Sequence, residues 1–468
     1  MKFFERKIVL VCLFFVALLM LSLPYLFRFS GGNHIFIGSE PHYHARMASF
    51  IAANGIPGTD ALFDSPYLVS PYHLLLAGIS LLIPVELASI VVPVALGLFS
   101  LLFFYLVLRG LKLSHLRAFF IVLVFVFSPF FASVFSLSTP LALVFFLLFF
   151  GFFLFQRKSC FFFLLSFIPF GLLAMCGIIH SIVLLLVLFV YCFSAKKKLL
   201  RFYFISAVVL FICLAFHLPY YLLTGSIGQL RNSGLIAEFG AVYGFSIFSL
   251  LLGGLGLFFV WGYKTRYYLA YFLMVCVFIA SFFVRDLLVY ANVVVCFFAG
   301  LAFYSLYLRE WELSDLRNFA LLVIFCCLLF SSISNSVVLG KLPPSDSFVE
   351  CLEWINANSS GSSAVFAHQS DSFFVEFWAE RKVLVNELYA PENLVADSGR
   401  IWHSSDLNEV KRFFSRKGIS YILIHEGLFN GFLWNTKGRE LDFLLTNPET
   451  FKSRYNNSYC EVWEFKGE

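Results

Sequence analysis

Charge is what this sequence has least of. Only 13% of its 468 residues are Asp, Glu, Lys or Arg, where a soluble globular chain carries roughly a quarter. With 60% hydrophobic residues and a mean hydropathy of +0.87, this deficit excludes water as the solvent for most of the length. The apolar runs hold almost no ionisable residue near their middles. That argues against a transporter or lipid flippase, which buries such groups at the bilayer midplane. None of the 11 cysteines has the CxxC spacing of a metal site; nine lie in apolar runs, and only Cys351 and Cys460 fall in polar sequence. The net charge of +5 is small for the length and makes no case for nucleic acid. Internal repeats and low-complexity segments are lacking as well.

What is there instead is hydrocarbon, with 64 phenylalanines. Runs near the twenty or so residues of a membrane span fit at 8–28, 87–108, 116–131, 139–155, 160–176, 178–194, 201–223, 245–262, 267–283, 286–308 and 317–338. The first has no small-x-small cleavage site and reads as a membrane helix rather than a signal peptide. Alternate gaps collect the basic residues: Lys2, Arg6 and Lys7; Arg109, Lys112 and Arg117; Arg157 and Lys158; Lys196, Lys197, Lys198 and Arg201; Lys264 and Arg266; Arg309 and Arg317. Under the positive-inside rule this alternation predicts eleven crossings with a cytoplasmic N-terminus. The stretch "PYHLLLAGISLLIP" (71–84) is short for a span and reads as a helix on or dipping into the outer face; two extra crossings there would keep the sidedness.

The acids Glu40, Asp60, Asp64, Glu238 and Asp286 then fall outside, as does the polar tail from Lys341. In the tail, "FVECLEWI" and "DLNEVKRFFSRKG" read as helices, the second capped by Gly418, and "AVFAH", "KVLVNE", "ISYILIHE" and "CEVWEF" read as strands. The expected fold is an α-helical polytopic membrane bundle of about 11–13 transmembrane helices with a C-terminal extracytoplasmic α/β domain. Its division is 1–340, including an outer loop 29–86, and 341–468, in the cytoplasmic membrane. Cys351 and Cys460 are the one pair that could bridge in an oxidising compartment, but nothing in the sequence brings their helix and terminal strand together, which weighs against the bond.

Chemistry on the outer face has no access to cytoplasmic nucleotide sugars, so a transferase there would need a lipid-carried donor. The first outer loop concentrates titratable residues: "EPHYHAR" holds Glu40, His42, His44 and Arg46 within seven positions. It resembles the D-P-x-Y-x-x-R element of the oligosaccharyltransferase catalytic subunit, within the GT-C superfamily of polyprenyl-linked glycosyltransferases. Ile236-Ala237-Glu238 is similar to the TIxE element of the same subunit, and "LEWINANSSGSSAVFAHQSDSFFVEFWAERKVLVNE" resembles the start of its outer domain. The resemblance implies that Glu40 and Glu238 are catalytic and hold Mg or Mn. Arg285, at the outer end of its span, suits a lipid-linked phosphate; His44, Arg46 and Asp371 join it as substrate-binding candidates. The bland readings are a wet interfacial loop for Glu40, a helix-capping glutamate for Glu238, and an interfacial anchor or Asp286 partner for Arg285.

Two departures stand out. The family's Trp-Trp-Asp would fall at Gln369-Ser370-Asp371, without either tryptophan, and its D-x-D-like pair is replaced by "ASVFSLSTPLA", with Ser136, Ser138 and Thr139 and no carboxylate. Metal-assisted and metal-free chemistry therefore both stay open. The expected activity is transfer of a sugar or oligosaccharide from a polyprenyl-(di)phosphate carrier to a protein, lipid or glycan acceptor. The alternative is a non-catalytic GT-C-like protein that binds glycolipid or glycoprotein. Membrane lipid and the polyprenyl-linked glycan are the expected partners.

The sidedness has a direct test. A reporter fused after Glu468 is expected to be active only if it works outside the cytoplasm; activity of a cytoplasmic reporter there would overturn the topology.

Overall fold

The computed structural model describes residues 3–60, 62, 65–195, 199–224, 234–263, 268–386, 392–428 and 445–467. Lys2, Asp64, Lys196, Lys197, Lys198, Lys264 and Arg266, on which part of the sidedness reading rests, lie outside them. The chain divides into two compact units. One comprises Met1–Arg28, Ser70–Ile79 and Glu86–Lys341; the other comprises Phe29–Val69, Ser80–Val85 and Leu342–Glu468.

The first unit is helical, and each expected span coincides with helix. Five helices among the described residues are long and apolar enough to cross a membrane: Leu10–Ser30, Val85–Gly110, Leu199–Leu222, Arg285–Leu308 and Ser314–Gly340. A multi-pass membrane protein follows. Five further apolar helices run 10–17 residues, Pro140–Gln156, Cys160–Cys176, Ile178–Phe193, Ile247–Val260 and Tyr268–Ser281. The expected span 116–131 is instead broken into His115–Val126 and Pro129–Ser136, bent by 65°. Ser128 makes the break: its hydroxyl accepts from the N–H of Phe131 at 3.2 Å, and Pro129 begins the next helix where its missing N–H costs nothing.

Aromatic rings do more here than face lipid. Phe161 and Leu164 are exposed, but Phe125, Phe130, Phe131, Phe135, Phe145, Phe155 and Phe170 are fully buried. Glycine sets the closest helix contacts. A Cβ on Gly256 would lie 2.0 Å from the Phe298 carbonyl oxygen, and one on Gly300 2.4 Å from the Ile121 Cα, so larger residues would push these helices apart. The stretch expected to lie on the outer face forms the helix Pro71–Ser80, with Tyr72 and Leu76 buried.

The second unit is α/β. Its five-stranded sheet runs Lys382–Val383, Ala364–Phe366, Ile419–His425, Cys460–Phe465, Phe451–Asn456. The first two pairings are parallel and the last two antiparallel. All four expected strands are present; the sequence reading missed the fifth, Phe451–Asn456. Strand Ile419–His425 explains the two cores by its period of two. Ile422 and Ile424 pack with Phe366, Trp402 and Phe414, whereas Tyr421 and Leu423 pack with Phe348, Leu352 and Phe374. Helices Asp346–Asn358 and Leu407–Lys417 match expectation, the latter ended by Gly418 at φ 66°.

Segment 29–69, read from sequence as a loop of the membrane part, packs with the tail. Gly38 donates its N–H to the Pro343 carbonyl at 2.9 Å, and the Ser39 hydroxyl donates to the Ser370 carbonyl at 3.1 Å. Cys351 and Cys460 form a disulfide with a Cα separation of 6.7 Å, the bond that the sequence left open and weighed against. The antiparallel return of the last strand carries Cys460 beneath helix Asp346–Asn358, a tertiary effect that spacing in the sequence does not reveal. The bridge closes 109 residues, a loop for which the chain-entropy model gives about 4–5 kcal/mol of stabilisation. Replacing either cysteine by alanine is therefore expected to lower the unfolding midpoint of this unit, measured by thermal denaturation in detergent, and to abolish the mobility shift on reduction.

Candidate functional site

Helix Ser39–Asn54 begins after Gly38, at φ 83°. Glu40 occupies its first turn, where a carboxylate complements the partial positive charge of the helix start. The Glu40 side chain is 29% exposed, and one turn later the buried His44 reaches it, Nε2 to Oε1 at 3.5 Å. His42 turns inward. Its Nδ1 lies 2.6 Å from the Gly38 carbonyl oxygen, so Nδ1 carries the proton. Phe36, Phe374 and Phe377 enclose the ring at centroid distances of 4.2, 4.8 and 5.3 Å.

Arg46 meets two carboxylates. Its guanidinium forks onto Asp60 at 2.9 and 2.6 Å, and Nη2 also lies 2.9 Å from Glu376 Oε2. Burial pushes the Glu376 carboxyl up to about 7; Arg46 opposes the rise and Asp60 adds to it. Burial alone would lower the Arg46 guanidinium, but Glu376 and Asp60 outweigh it and hold it above its ordinary value. Arg46, a substrate-binding candidate from sequence, thus has its charge engaged inside the protein.

Asp371 also lies in this unit, buried and paired with His425, Oδ2 to Nε2 at 3.0 Å. His425 Nδ1 accepts the Gly427 N–H at 3.0 Å, which leaves the ring proton on Nε2, facing Asp371. Tyr459 stacks on the imidazole at 5.8 Å. The Ser370 hydroxyl stands between His368 Nδ1 at 2.8 Å and Asp371 Oδ1 at 3.3 Å.

Glu238 and Arg285 belong to the helical unit. Both Glu238 oxygens lie 3.2 Å from the N–H of Ile247, the first residue of helix Ile247–Val260, and Oε1 also accepts the Ser331 hydroxyl. This is the capping arrangement that the sequence reading held as the bland alternative. Arg285 opens helix Arg285–Leu308, its guanidinium 4.8 Å from the Tyr243 ring centroid. Leu235, Ile236 and Phe245 pack on Leu288, Ala291 and Val295, so the segment carrying Glu238 rests on the start of the helix carrying Arg285.

The donor set does not fit a divalent cation. Mg and Mn demand several oxygen ligands, preferably anionic, whereas the Glu238 carboxylate already shares the Ile247 N–H between its two oxygens and accepts the Ser331 hydroxyl. Where the sequence resemblance would place acids, the Ser136 hydroxyl donates to the Leu21 carbonyl at 3.3 Å and Ser138 pairs with the Tyr72 hydroxyl at 2.8 Å. Among the described residues no group of three or more His, Cys, Asp or Glu could hold a metal. The helical unit does hold an apolar cavity of about 340 Å³, lined among others by Phe104, Phe149, Val187, Met274 and Phe298. Tyr290 alone of its described lining residues carries a hydrogen-bonding side chain, bonded to His180 Nδ1 at 2.9 Å.

No protein-family model and no curated protein matches this chain in sequence. Solved structures do match it. Oligosaccharyltransferase AglB from Archaeoglobus fulgidus, in complex with an inhibitory peptide and a dolichol-phosphate, is 12% identical with a TM-score of 0.67, over 91% of this chain and 70% of that one. ArnT from Cupriavidus metallidurans, bound to undecaprenyl phosphate, is 11% identical with a TM-score of 0.60, over 99% of this chain and 98% of that one. The same archaeal oligosaccharyltransferase in complex with Zn and sulfate gives a TM-score of 0.65 at 12% identity over 97% of this chain and 72% of that one. The chain has the GT-C fold.

The sequence reading missed Glu376, His425 and the pairing role of Asp60. One signal was visible: Glu376 is an acid inside the apolar run "FFVEFW", where an unpaired carboxylate is costly. Two measurements test the capping and donor-set assignments together. Glu238→Ala is expected to destabilise the helical unit by about 1–2 kcal/mol, and neither Mn²⁺ nor EDTA is expected to shift the unfolding midpoint of the purified protein. A midpoint that rises with Mn²⁺ in the wild type and not in Glu238→Ala would overturn both.

Proposed function

We propose that the protein is a membrane glycosyltransferase that moves a sugar or oligosaccharide from a polyprenyl phosphate or diphosphate carrier to an acceptor outside the cytoplasmic membrane. The observation that carries this reading is a GT-C fold whose polar helix Ser39–Asn54 puts Glu40 in its first turn, half open to solvent and one turn from His44. The apolar cavity of the helical unit supports a lipid-carried donor, since its walls suit a hydrocarbon chain and not a nucleotide.

In the proposed reaction an acceptor hydroxyl or amide attacks the anomeric carbon, and the bond from that carbon to the carrier phosphate oxygen breaks. Glu40 takes the acceptor proton, and His44 holds the carboxylate oriented through the 3.5 Å contact. Arg285 receives the carrier's departing anion as a charge-assisted partner. Because the donor set does not fit a divalent cation, no step is assigned to one. Asp371, with its proton-donating neighbour His425, is the proposed contact for a polar group of the acceptor. The non-catalytic reading, a GT-C-like protein that binds glycolipid or glycoprotein, draws support from Glu238, whose carboxylate caps a helix.

Incubating the purified protein with radiolabelled polyprenyl-linked sugars and following label into acceptor decides between them. Glu40→Gln removes charge at nearly constant volume, and transfer is expected to fall by roughly 10²-fold or more with the unfolding midpoint unchanged. Full activity in that variant would sink the mechanism, and binding of the carrier without any transfer would favour the non-catalytic reading.

A further inference from the structure

The Arg46 cluster is unusual for what it joins. Two neighbouring elements, helix Ser39–Asn54 and strand Thr59–Asp60, and one more than three hundred residues away, the wide helical turn Val375–Ala379, contribute to it. The side chains are 12%, 3% and 0% exposed for Arg46, Asp60 and Glu376. An ion pair on the surface is worth little, and one this deeply buried is often no more stabilising than apolar residues of the same size. What a buried fork does supply is geometry. The other contacts along this helix are mostly apolar, His42 among Phe36, Phe374 and Phe377, and Tyr43 and Met47 against Phe373, with the Ser39 hydroxyl on the Ser370 carbonyl at its start. Apolar contacts tolerate sliding and rotation, whereas a bidentate guanidinium does not.

We propose that Asp60 and Glu376 are positioning residues for Glu40: by gripping Arg46 they set the rotation of helix Ser39–Asn54 about its axis, and so the direction in which its first turn presents the carboxylate. The proposal rests on the reading of Glu40 as the base of a transferase, but its core is a statement about the helix and is measured without substrate.

The grip depends on charge balance. Two carboxylates share one guanidinium, so the cluster is neutral with Glu376 protonated and carries one net negative charge with Glu376 ionised. The titratable groups that face Glu376 are Arg46, from the helix, and Asp60, from the strand; Asn386 adds a hydrogen bond. The Tyr43 ring lies under the guanidinium at 5.5 Å. Because burial raises the Glu376 carboxyl from 4.5 to about 7, the closed cluster holds a proton that the opened one releases over that interval. Closure is therefore favoured most below about pH 4.5, weakens as pH rises, and levels off above about pH 7.

Hydrogen exchange of the full-length protein in detergent, expressed as protection factors so that intrinsic base catalysis drops out, reads this directly. Protection across residues 39–54 is expected to fall as pH rises from about 5 to about 7, by up to roughly tenfold per pH unit, and to stay level above. Glu376→Gln is expected to remove that slope, and Asp60→Asn to lower protection at every pH. In the transfer assay the cluster is expected to contribute a fall in wild-type kcat as pH rises from about 5 to about 7, level above, with the KM for the lipid-linked donor unchanged, a component missing from Glu376→Gln. Wild-type protection independent of pH overturns the proposal, and this holds even if the glutamine variant fails to fold. A Glu376→Gln profile superimposable on wild type overturns it as well. A pH-dependent helix in a protein that transfers nothing would instead sink the transferase reading and leave the role of the cluster intact.

Discussion

In hydrocarbon no backbone polar group can turn to water, so each one carried into the helical unit needs a partner within the protein. That constraint organises the broken helix and everything packed on it. The Asn335 side-chain amide donates to the Pro129 carbonyl and the Ser133 hydroxyl, both at 3.1 Å, which stitches helix Ser314–Gly340 to the second half of the break. Ser133 donates onward to the Val242 carbonyl. Tyr25 donates to the Ser136 carbonyl at 2.5 Å, satisfying a carbonyl at the C-terminal end of that short helix. The bend is therefore held by hydrogen bonds from three other segments. The segment near Glu238 is tied into the same seam through Val242, and through Ser246, whose hydroxyl lies 2.9 Å from that of Ser331.

The same constraint explains what Glu238 does. A glutamate near a helix start has two uses for its charge, a ligand or the unsatisfied N–H groups of the helix. Here the second use is realised: one N–H is shared between the two oxygens, with the Ser331 hydroxyl in addition. The α/β unit treats its charges differently. Arg46, Asp60 and Glu376 are drawn inside and pair with one another, as do Asp371 and His425. Glu40 is set apart from these groups: its side chain keeps 29% of its exposure beside a nearly buried His44.

Much of the fold was legible because hydropathy reports solvent directly. All eleven expected spans coincide with helix, and the strands Ala364–Phe366, Ile419–His425 and Cys460–Phe465 followed from runs of β-branched and aromatic residues. Strand Phe451–Asn456 was not legible. It is an edge strand, with one neighbour and several exposed polar residues, and such strands lack the apolar alternation that betrays a buried one. The disulfide was hidden for a related reason, since the chain folds back over 109 residues before Cys460 meets Cys351. At the candidate site, the motif grouped Glu40, His44 and Arg46 in an outer loop, where the structure has them on one helix, Ser39–Asn54. They could not show that Arg46 turns into the protein toward Glu376, because that partner lies more than three hundred residues away in an apolar run.

These observations bear on how such a protein would handle charge in a reaction. A divalent cation is a compact way to neutralise a departing phosphate, but it needs a cluster of oxygens held open for it. In this chain the hydroxyls of Ser136 and Ser138 are tied to Leu21 and Tyr72, and both Glu238 oxygens to a helix start. Cationic side chains perform the same service without such a cluster, and Arg is suited to it because its planar fork keeps its charge at any relevant pH. The helix start at Arg285 adds the partial positive charge of unpaired N–H groups in the same place. On the proposed reading, a fixed cation at Arg285 would serve the leaving anion, and the acceptor's proton would fall to Glu40.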